Sequence, residues 1–309
     1  MPKIISMISR KIIINRAKEI GFDLVGVVPC EHLAEEHNRF NEWMLEGNAS
    51  SLDYLARNVD KRFDAGLLVE GSRSVIICAI SYLSSYSRGY AEGWRTKVAS
   101  YALARDYHTS IKEMLCALAE SLKQHYPTIR YRAFTDSAPL AEKSYAARAG
   151  LGWIGRNSLL VTPTHGSMLH LGELVIDQEV DQYDSPMEGV GCGECRRCVE
   201  ACPNGAILDN RTIDTRRCIS CRTIEREVEG ERAPLHGWIF GCDACQVVCP
   251  YNKRAPLHTN PKFDPLYDPT ALDAKAWLEM TEDEFQALAG TTAMTRAGLK
   301  RVQKNIEAE

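Results

Sequence analysis

CGECRRCVEACP at residues 192–203 and CDACQVVCP at 242–250 decide how this chain is read. The first is C-x2-C-x2-C-x3-C-P. Bacterial ferredoxins use this spacing so that three close thiolates grip one iron–sulfur cubane and the fourth reaches another. The second stretch ends in the same way but lacks a leading cysteine at the usual distance. Cys218 or Cys221, upstream across an insertion, supplies it. Nine of the twelve cysteines lie between Cys192 and Cys249, enough for two [4Fe–4S] clusters with four thiolates each. The crossing rule gives Cys192, Cys195, Cys198 and Cys249 to one cluster. It gives Cys202, Cys242, Cys245 and either Cys218 or Cys221 to the other. Zinc is the competing reading, because Cys195/Cys198 and Cys218/Cys221 also match a four-cysteine zinc spacing. It leaves five cysteines, including those of both Cys-Pro endings, without a role. Pro203 and Pro250 turn the chain away from the buried clusters, since proline fixes φ and donates no N–H.

Outward from this stretch, the 309 residues are 45% hydrophobic and 25% charged, the composition of an ordinary folded chain. No apolar run approaches a membrane span, and the first twenty-odd residues lack a signal peptide's apolar core and cleavage site. A cytoplasmic protein without membrane contact is expected, and in that reducing compartment cysteines serve metals in preference to disulfides. The net charge of −4 excludes a protein that wraps nucleic acid over its whole surface. Arg196, Arg197, Arg216, Arg217, Arg222 and Arg226 nevertheless gather near the cysteines, as a local basic patch would require.

Before the cysteines, helical and strand patterns alternate. Helices are expected at 4–20 (stopped by Gly21), in broken form at 33–58, at 107–124 with Asp106 as N-cap, and at 139–150 between Pro139 and Gly150. Strands are expected at 22–28, 73–82, 98–108 and 129–136, with NSLLVTP and SMLHLGELVID joined by a turn at Thr164–Gly166. Cys78 in its strand and Cys116 on its helix are read as core. The fold class is α/β (α+β) over 1–185, a ferredoxin-like domain over 186–255, and a loop and helical tail over 256–309, with helices at 273–289 and 293–306. Gly150-Leu-Gly152-Trp-Ile-Gly155 matches the dinucleotide fingerprint, but here a helix precedes the glycines and a strand follows. That order reverses the one pyrophosphate binding needs. The glycines are read instead as a bare surface against which a bulky ligand lies.

AARAGLGWIGRNSLL at 146–160, preceded by TDSAPLAEKSYAA and followed by HGSMLHLGELV, resembles the epoxyqueuosine reductase family when joined to the double cysteine motif. DSAP at 136–139, CIS at 218–220 and TIE at 223–225 fit the same pattern, and the likeness spans residues 20–305. It implies a cobalamin-binding domain of nitroreductase-like type fused to a two-cluster module. It also implies reduction of the epoxide of epoxyqueuosine at the wobble position of tRNAs with a GUN anticodon. Turning an epoxide into an alkene takes electrons that no side chain supplies, so cobalamin and the clusters carry them. Asp136 is implied as proton donor, with a pKa raised by burial against the corrin. The bland alternative is an N-cap for the helix opened by Pro139, worth about 1 kcal/mol. Corrin contacts are implied at Arg57, Asp136, Asn157, Ser158, Ser220, Asp243 and Ala244. DYH at 106–108 lacks the glycine of the cobalamin-ligand motif, Ile111 standing in its place, so cobalt is expected to have no protein histidine.

Cys221 stands where the family has tyrosine, which makes Cys218 the expected ligand. Longer members carry C-terminal helical repeats, and tRNA contacts of that kind are not expected from the residues after TRAGLKRVQKNI. The implied partners are a GUN-anticodon stem-loop and a low-potential electron donor, with the chain acting as a monomer. A ferredoxin-type electron carrier and a cobalamin-dependent reductive dehalogenase relative are the alternatives. The first has no use for a glycine-lined domain, and the second carries an export signal and a longer chain.

Overall fold

SVIICAIS, Ser74–Ser81, has no polar face, and a strand of that kind must be covered on both sides. The computed structural model, which describes residues 7–225 and 233–308, buries every one of its side chains. It pairs with Leu24–Pro29 on one edge and Leu169–Ile176 on the other, and Tyr131–Phe134 completes the four-stranded sheet. Every pairing is antiparallel, so the arrangement is α+β. Alternation along the chain foretold the elements but not their direction, which the connections fix.

Alternate residues of each strand face opposite layers. Ile76, Cys78 and Ile80 pack with Ile111, Leu115 and Leu118 of the helix Tyr107–Lys123 and with Ile13 and Ala17 of Arg10–Ile20. Val75, Ile77 and Ala79 pack with Tyr145, Ala146 and Ala149 around the helix Glu142–Arg148. Each fully buried branched side chain contributes about 2 kcal/mol. Cys78 is core as expected, but Cys116 is exposed. It follows Leu115 by one residue, about 100° round the helix from the apolar stripe.

Gly21 ends the first helix in the left-handed conformation, its N–H on the carbonyls of Ala17 and Lys18. That helix begins at Arg10, and Ile5 lies outside the described residues. Asp106 caps its helix through the His108 N–H at 2.9 Å. Several expected spans are shorter or divided. The 33–58 stretch is the helix Ala34–Leu45 and a short 3₁₀ turn, Asp53–Ala56. The expected strand at 98–108 is only Lys97–Val98, followed by a 3₁₀ turn. NSLLVTP and SMLHLGELVID carry the strands Leu160–Val161 and Leu169–Ile176 with the expected turn between them, closed by an antiparallel bridge from Thr162 to Gly166, while Leu160–Val161 takes Trp153–Ile154 as its strand partner. The tail breaks at capping residues into Ala274–Glu279, Glu282–Ala289, Ala293–Arg296 and Leu299–Glu307.

The three glycines at 150–155 do not form a bare ligand surface. Gly150 takes φ +67°, and a Cβ there or at Gly152 would strike the carbonyl of Ser185 or of Val161. Gly150 and Gly152 let protein backbones approach each other, and Gly155 leaves room for the Asn157 and Val161 side chains. Further on, Lys97–Val98 pairs in parallel with Trp238–Phe240. Trp277, Phe285, Met294 and Val302 bury themselves with Val98, Leu103 and Phe240, so the last helices share a core with both preceding parts. Among the described residues, no helix is long and apolar enough to cross a membrane.

Candidate functional site

A cavity of about 660 Å³ opens between the sheet, the helix Ala34–Leu45 and the cysteine-bearing part. Phe40, Trp43, Ile154, Leu159 and Leu169 give it apolar walls, and Thr212 and Ile213 close the far side. Asp136 enters it from the end of the strand Tyr131–Phe134. Its φ is +52°, and Ser158, also on the wall, has φ +59°. Left-handed backbone at a residue with a side chain costs about 1 kcal/mol or more and gathers at functional positions. Asp136 does not cap the following helix, which begins at Glu142 with Ala141 in the capping position. The bland alternative therefore does not describe it.

The Tyr107 hydroxyl donates to Asp136 Oδ2 at 2.6 Å, and His108 Nε2 lies 3.1 Å from the same oxygen. His108 Nδ1 lies 2.7 Å from Asp106 Oδ1. With a carboxylate at each ring nitrogen, first Asp106 and then Asp136, the His108 pKa rises to about 9. His108 is then a cation at neutral pH and donates from both nitrogens. Asp136 is held below its ordinary pKa, first by His108 and also by Tyr107, against the opposing effect of burial. This reverses the expected raised pKa. Burial alone would raise it, but a cation and a phenol in direct contact outweigh that. The proton rests on His108, one hydrogen bond from Asp136.

Other polar groups at this site have no protein partner. His170 Nε2 and Arg62 Nε are buried without one, and both residues line the cavity. Burial lowers the His170 pKa to about 3, so the ring is neutral, and it stacks on Tyr107 with centroids 4.4 Å apart. The sequence offered DYH at 106–108 only as an incomplete cobalt-ligand motif, which gave Tyr107 and His108 no role at Asp136, and His170 was passed over. A histidine inside the buried strand Leu169–Ile176 was the available signal, since such a group needs a reason to be there.

The thiols gather in two sets. Cys198 is in electrostatic reach of Cys192 and Cys249. Cys242 feels Cys218 and Cys202, and Cys245 feels Cys242 and Cys218. Cys221 feels Cys218 and the side chains of Glu225, Arg222 and Arg301, and burial pushes its pKa up to about 12. Donors already point at three of the sulfurs, as iron-bound thiolates need. Trp153 Nε1 is 3.4 Å from Cys192, Ala206 N is 3.2 Å from Cys202, and Asn157 Nδ2 is 3.8 Å from Cys245. Among the described residues no three His, Cys, Asp or Glu side chains converge tightly enough for a single metal ion. Cys249 caps the helix Pro250–Arg254, with Pro250 at its first position.

Of the remaining expected corrin contacts, Asn157 sits behind Ser158, between the cavity wall and Cys245. Arg57, Ser220, Asp243 and Ala244 are not among the residues that line the cavity. Asp243 is buried and accepts from the Ser100 N–H and hydroxyl at 2.7 and 2.8 Å, which fixes the turn before the helix Ala244–Val247. The arginines near the cysteines are largely engaged inside the chain. Arg196 pairs with Asp209, and Arg216 and Arg217 pair with Asp214. Arg222 donates to the Ala233 carbonyl. Arg197 is exposed, and Arg226 lies outside the described residues.

Comparison with known proteins agrees with this geometry. Residues 191–252 match the family model "4Fe-4S double cluster binding domain", and residues 62–137 match "Epoxyqueuosine reductase QueG, DUF1730". An epoxyqueuosine reductase of Cyclobacterium marinum is 37% identical over 299 residues, 96% of this chain and 95% of that one. The Escherichia coli epoxyqueuosine reductase is 36% identical over 298 residues, 93% of this chain and 77% of that one. The crystal structure of an epoxyqueuosine reductase with an epoxyqueuosine-modified tRNA-Tyr stem loop superposes with a TM-score of 0.84. It is 27% identical and covers 96% of this chain and 79% of that one. A Bacillus subtilis epoxyqueuosine reductase, described with its catalytic aspartate loop swung out of the active site, superposes with a TM-score of 0.83. It is 27% identical and covers the same shares of the two chains.

Proposed function

The chain belongs to the epoxyqueuosine reductase family, and from this we propose that it reduces epoxyqueuosine to queuosine at the wobble position of GUN-anticodon tRNAs, using cobalamin and two [4Fe–4S] clusters. The observation that carries the reading is the position of Asp136. It projects, held by His108 and Tyr107, into a cavity whose wall reaches Cys245 through Asn157. The relative solved with a modified tRNA stem loop supports the same substrate here, and the relative with a movable catalytic aspartate loop supports the same role for Asp136.

Cobalamin fits the cavity on features of the chain itself. Apolar walls suit a corrin face, while the unpartnered Arg62 Nε and His170 Nε2 suit its polar edge. Asp136, Asn157 and Ser158 are the residues proposed to hold it, with Arg57, Ser220, Asp243 and Ala244 further out. When bound, it supplies a cobalt centre that stores and delivers electrons. Opening the epoxide to an alkene takes two electrons and two protons and releases its oxygen as water. Asp136 delivers a proton to that oxygen, drawing on the proton that rests on His108. Neutral His170, stacked against Tyr107, keeps the phenol aimed at Asp136. Cys202, Cys218, Cys242 and Cys245 would hold one cluster, with Asn157 joining Cys245 to the cavity wall. Cys192, Cys195, Cys198 and Cys249 would hold the other, and the pair would supply the electrons one at a time. The units at 1–185, 186–255 and 256–309 are proposed to divide this work, the first binding the corrin and the second carrying electrons.

Deleting the gene should leave epoxyqueuosine in tRNA in place of queuosine, and restoring it should reverse the change. Unaltered queuosine in the deletion strain would sink the reading. In vitro, Cys221→Tyr should keep the iron of both clusters, since Cys218 is the proposed ligand. A loss of half the iron would make Cys221 the ligand instead. Affinity for a GUN-anticodon stem-loop should weaken as salt rises, because phosphate contacts release counterions. With Arg196, Arg216 and Arg217 already paired to carboxylates, the dependence should be shallow. A slope of many charges would show that those pairs open on binding.

A further inference from the structure

Glu173 stands in the middle of the sheet, opposite Ile77 on one neighbour and Phe134 on the other. It is 0% exposed, and no protein donor reaches either of its carboxyl oxygens. Its side chain points to the face that carries the helix Glu142–Arg148, and there it meets the carboxyl group of Glu142. Glu142, the first residue of that helix, also receives the backbone N–H of Asp136 on Oε1. Two carboxylates can only accept, so a contact between them requires a proton on one of them.

We infer that Glu142 and Glu173 are positioning residues for Asp136: a proton shared between their carboxyl groups ties the helix to the central strand and fixes the oxygen that holds the Asp136 N–H. This deepens the reading of Asp136 as proton donor and rests on it. The left-handed backbone of Asp136 needs such a restraint, because the conformation is strained without one. Tyr107 and His108 restrain the side chain, and Glu142 restrains the backbone.

The charged and titratable groups that face the pair are few. Asp136 approaches from its loop, Lys143 from the same helix, and Arg62 and Tyr107 from the cavity wall, while the Cys78 thiol on the neighbouring strand is in electrostatic reach from the other face of the sheet. Lys143 Nζ is engaged 2.7 Å from the Ser158 carbonyl. Burial, then the nearby negative charges, raise both carboxyl pKa values, that of Glu142 to about 7. Each carboxyl therefore holds its proton more tightly folded than unfolded. The stability this gives is complete below the ordinary carboxyl pKa and is lost as pH rises through the folded value.

The test compares Glu142→Gln, Glu142→Ala and Glu173→Gln in the full-length chain. It measures steady-state turnover and hydrogen exchange of the Asp136 amide across pH. Glu142→Ala should lower kcat about tenfold or more with KM little changed, and remove protection of the Asp136 amide. Glu142→Gln should restore much of both, since its oxygen can accept from Asp136 while its NH2 donates to Glu173. Glu173→Gln donates permanently, so the alkaline loss of Asp136 protection should move up by about one pH unit or more. The inference is overturned if Glu142→Gln is as impaired as Glu142→Ala, if amide protection survives in Glu142→Ala, or if Glu173→Gln follows the wild-type exchange profile. The exchange readout needs no turnover, so failure of the latch is separable from failure of the catalytic reading.

Discussion

Asp136→Asn should lower turnover of epoxyqueuosine-containing tRNA by about 10²–10⁴-fold, the usual effect of removing a general acid. Asparagine tolerates left-handed backbone as well as aspartate does, so the loop and the Glu142 contact survive. The Tyr107 hydroxyl can still donate to the amide oxygen. What disappears is the group that passes the proton from His108 to the leaving oxygen. Iron content and stem-loop affinity should stay near wild type, because neither thiol set touches Asp136. His108 should show a second effect. It loses one of the two carboxylates that raise its pKa to about 9, so its titration, followed by NMR, should move downward. A variant that turns over near the wild-type rate would mean that another acid serves the reaction. An unmoved His108 would mean that the Asp136 contact is not what charges the ring.

The second large effect concerns the crossed cluster ligands. Cys202→Ala should damage the cluster that includes Cys218, Cys242 and Cys245, although Cys202 lies in the first motif. Cys249→Ala should damage the cluster of Cys192, Cys195 and Cys198, although Cys249 lies in the second. Each variant should lose about half of the iron and nearly all turnover, because electrons must pass through both cubanes. The spectrum of the surviving cluster distinguishes the two variants. The electrostatic neighbourhoods motivate the crossing, with Cys249 in reach of Cys198 and Cys202 in reach of Cys242. If each substitution instead removed the cluster of its own motif, the assignment would be wrong.

The cysteine spacing made the double-cluster module legible, because iron coordination constrains sequence distance directly. The buried strand Ser74–Ser81 and the capped helix Tyr107–Lys123 were legible for the same kind of reason, each following from local pattern alone. Strand direction was not, since antiparallel pairing depends on connections that no local pattern encodes. The glycines at 150–155 misled. Their lack of side chains spoke of close approach, but sequence could not say that the approaching partner is the Val161 and Ser185 backbone. Asp136 was singled out as a site candidate and lies on the cavity wall, yet the direction of its pKa was not foreseeable. His108, in the first turn of its helix, reaches it from twenty-eight positions earlier in the chain. Glu173 could have been suspected as a carboxyl inside an apolar strand. Its partner Glu142 could not, because only the fold brings the two together.

The most direct measurement uses the purified protein, reconstituted anaerobically with iron, sulfide and cobalamin, and a tRNA-Tyr stem-loop carrying epoxyqueuosine. After addition of a low-potential reductant, nucleosides are released and separated by mass. The account predicts conversion of epoxyqueuosine to a nucleoside lighter by one oxygen and identical to queuosine, dependent on cobalamin and on both clusters. Intact epoxyqueuosine in the fully loaded protein, or equal conversion with cobalamin left out, would contradict it.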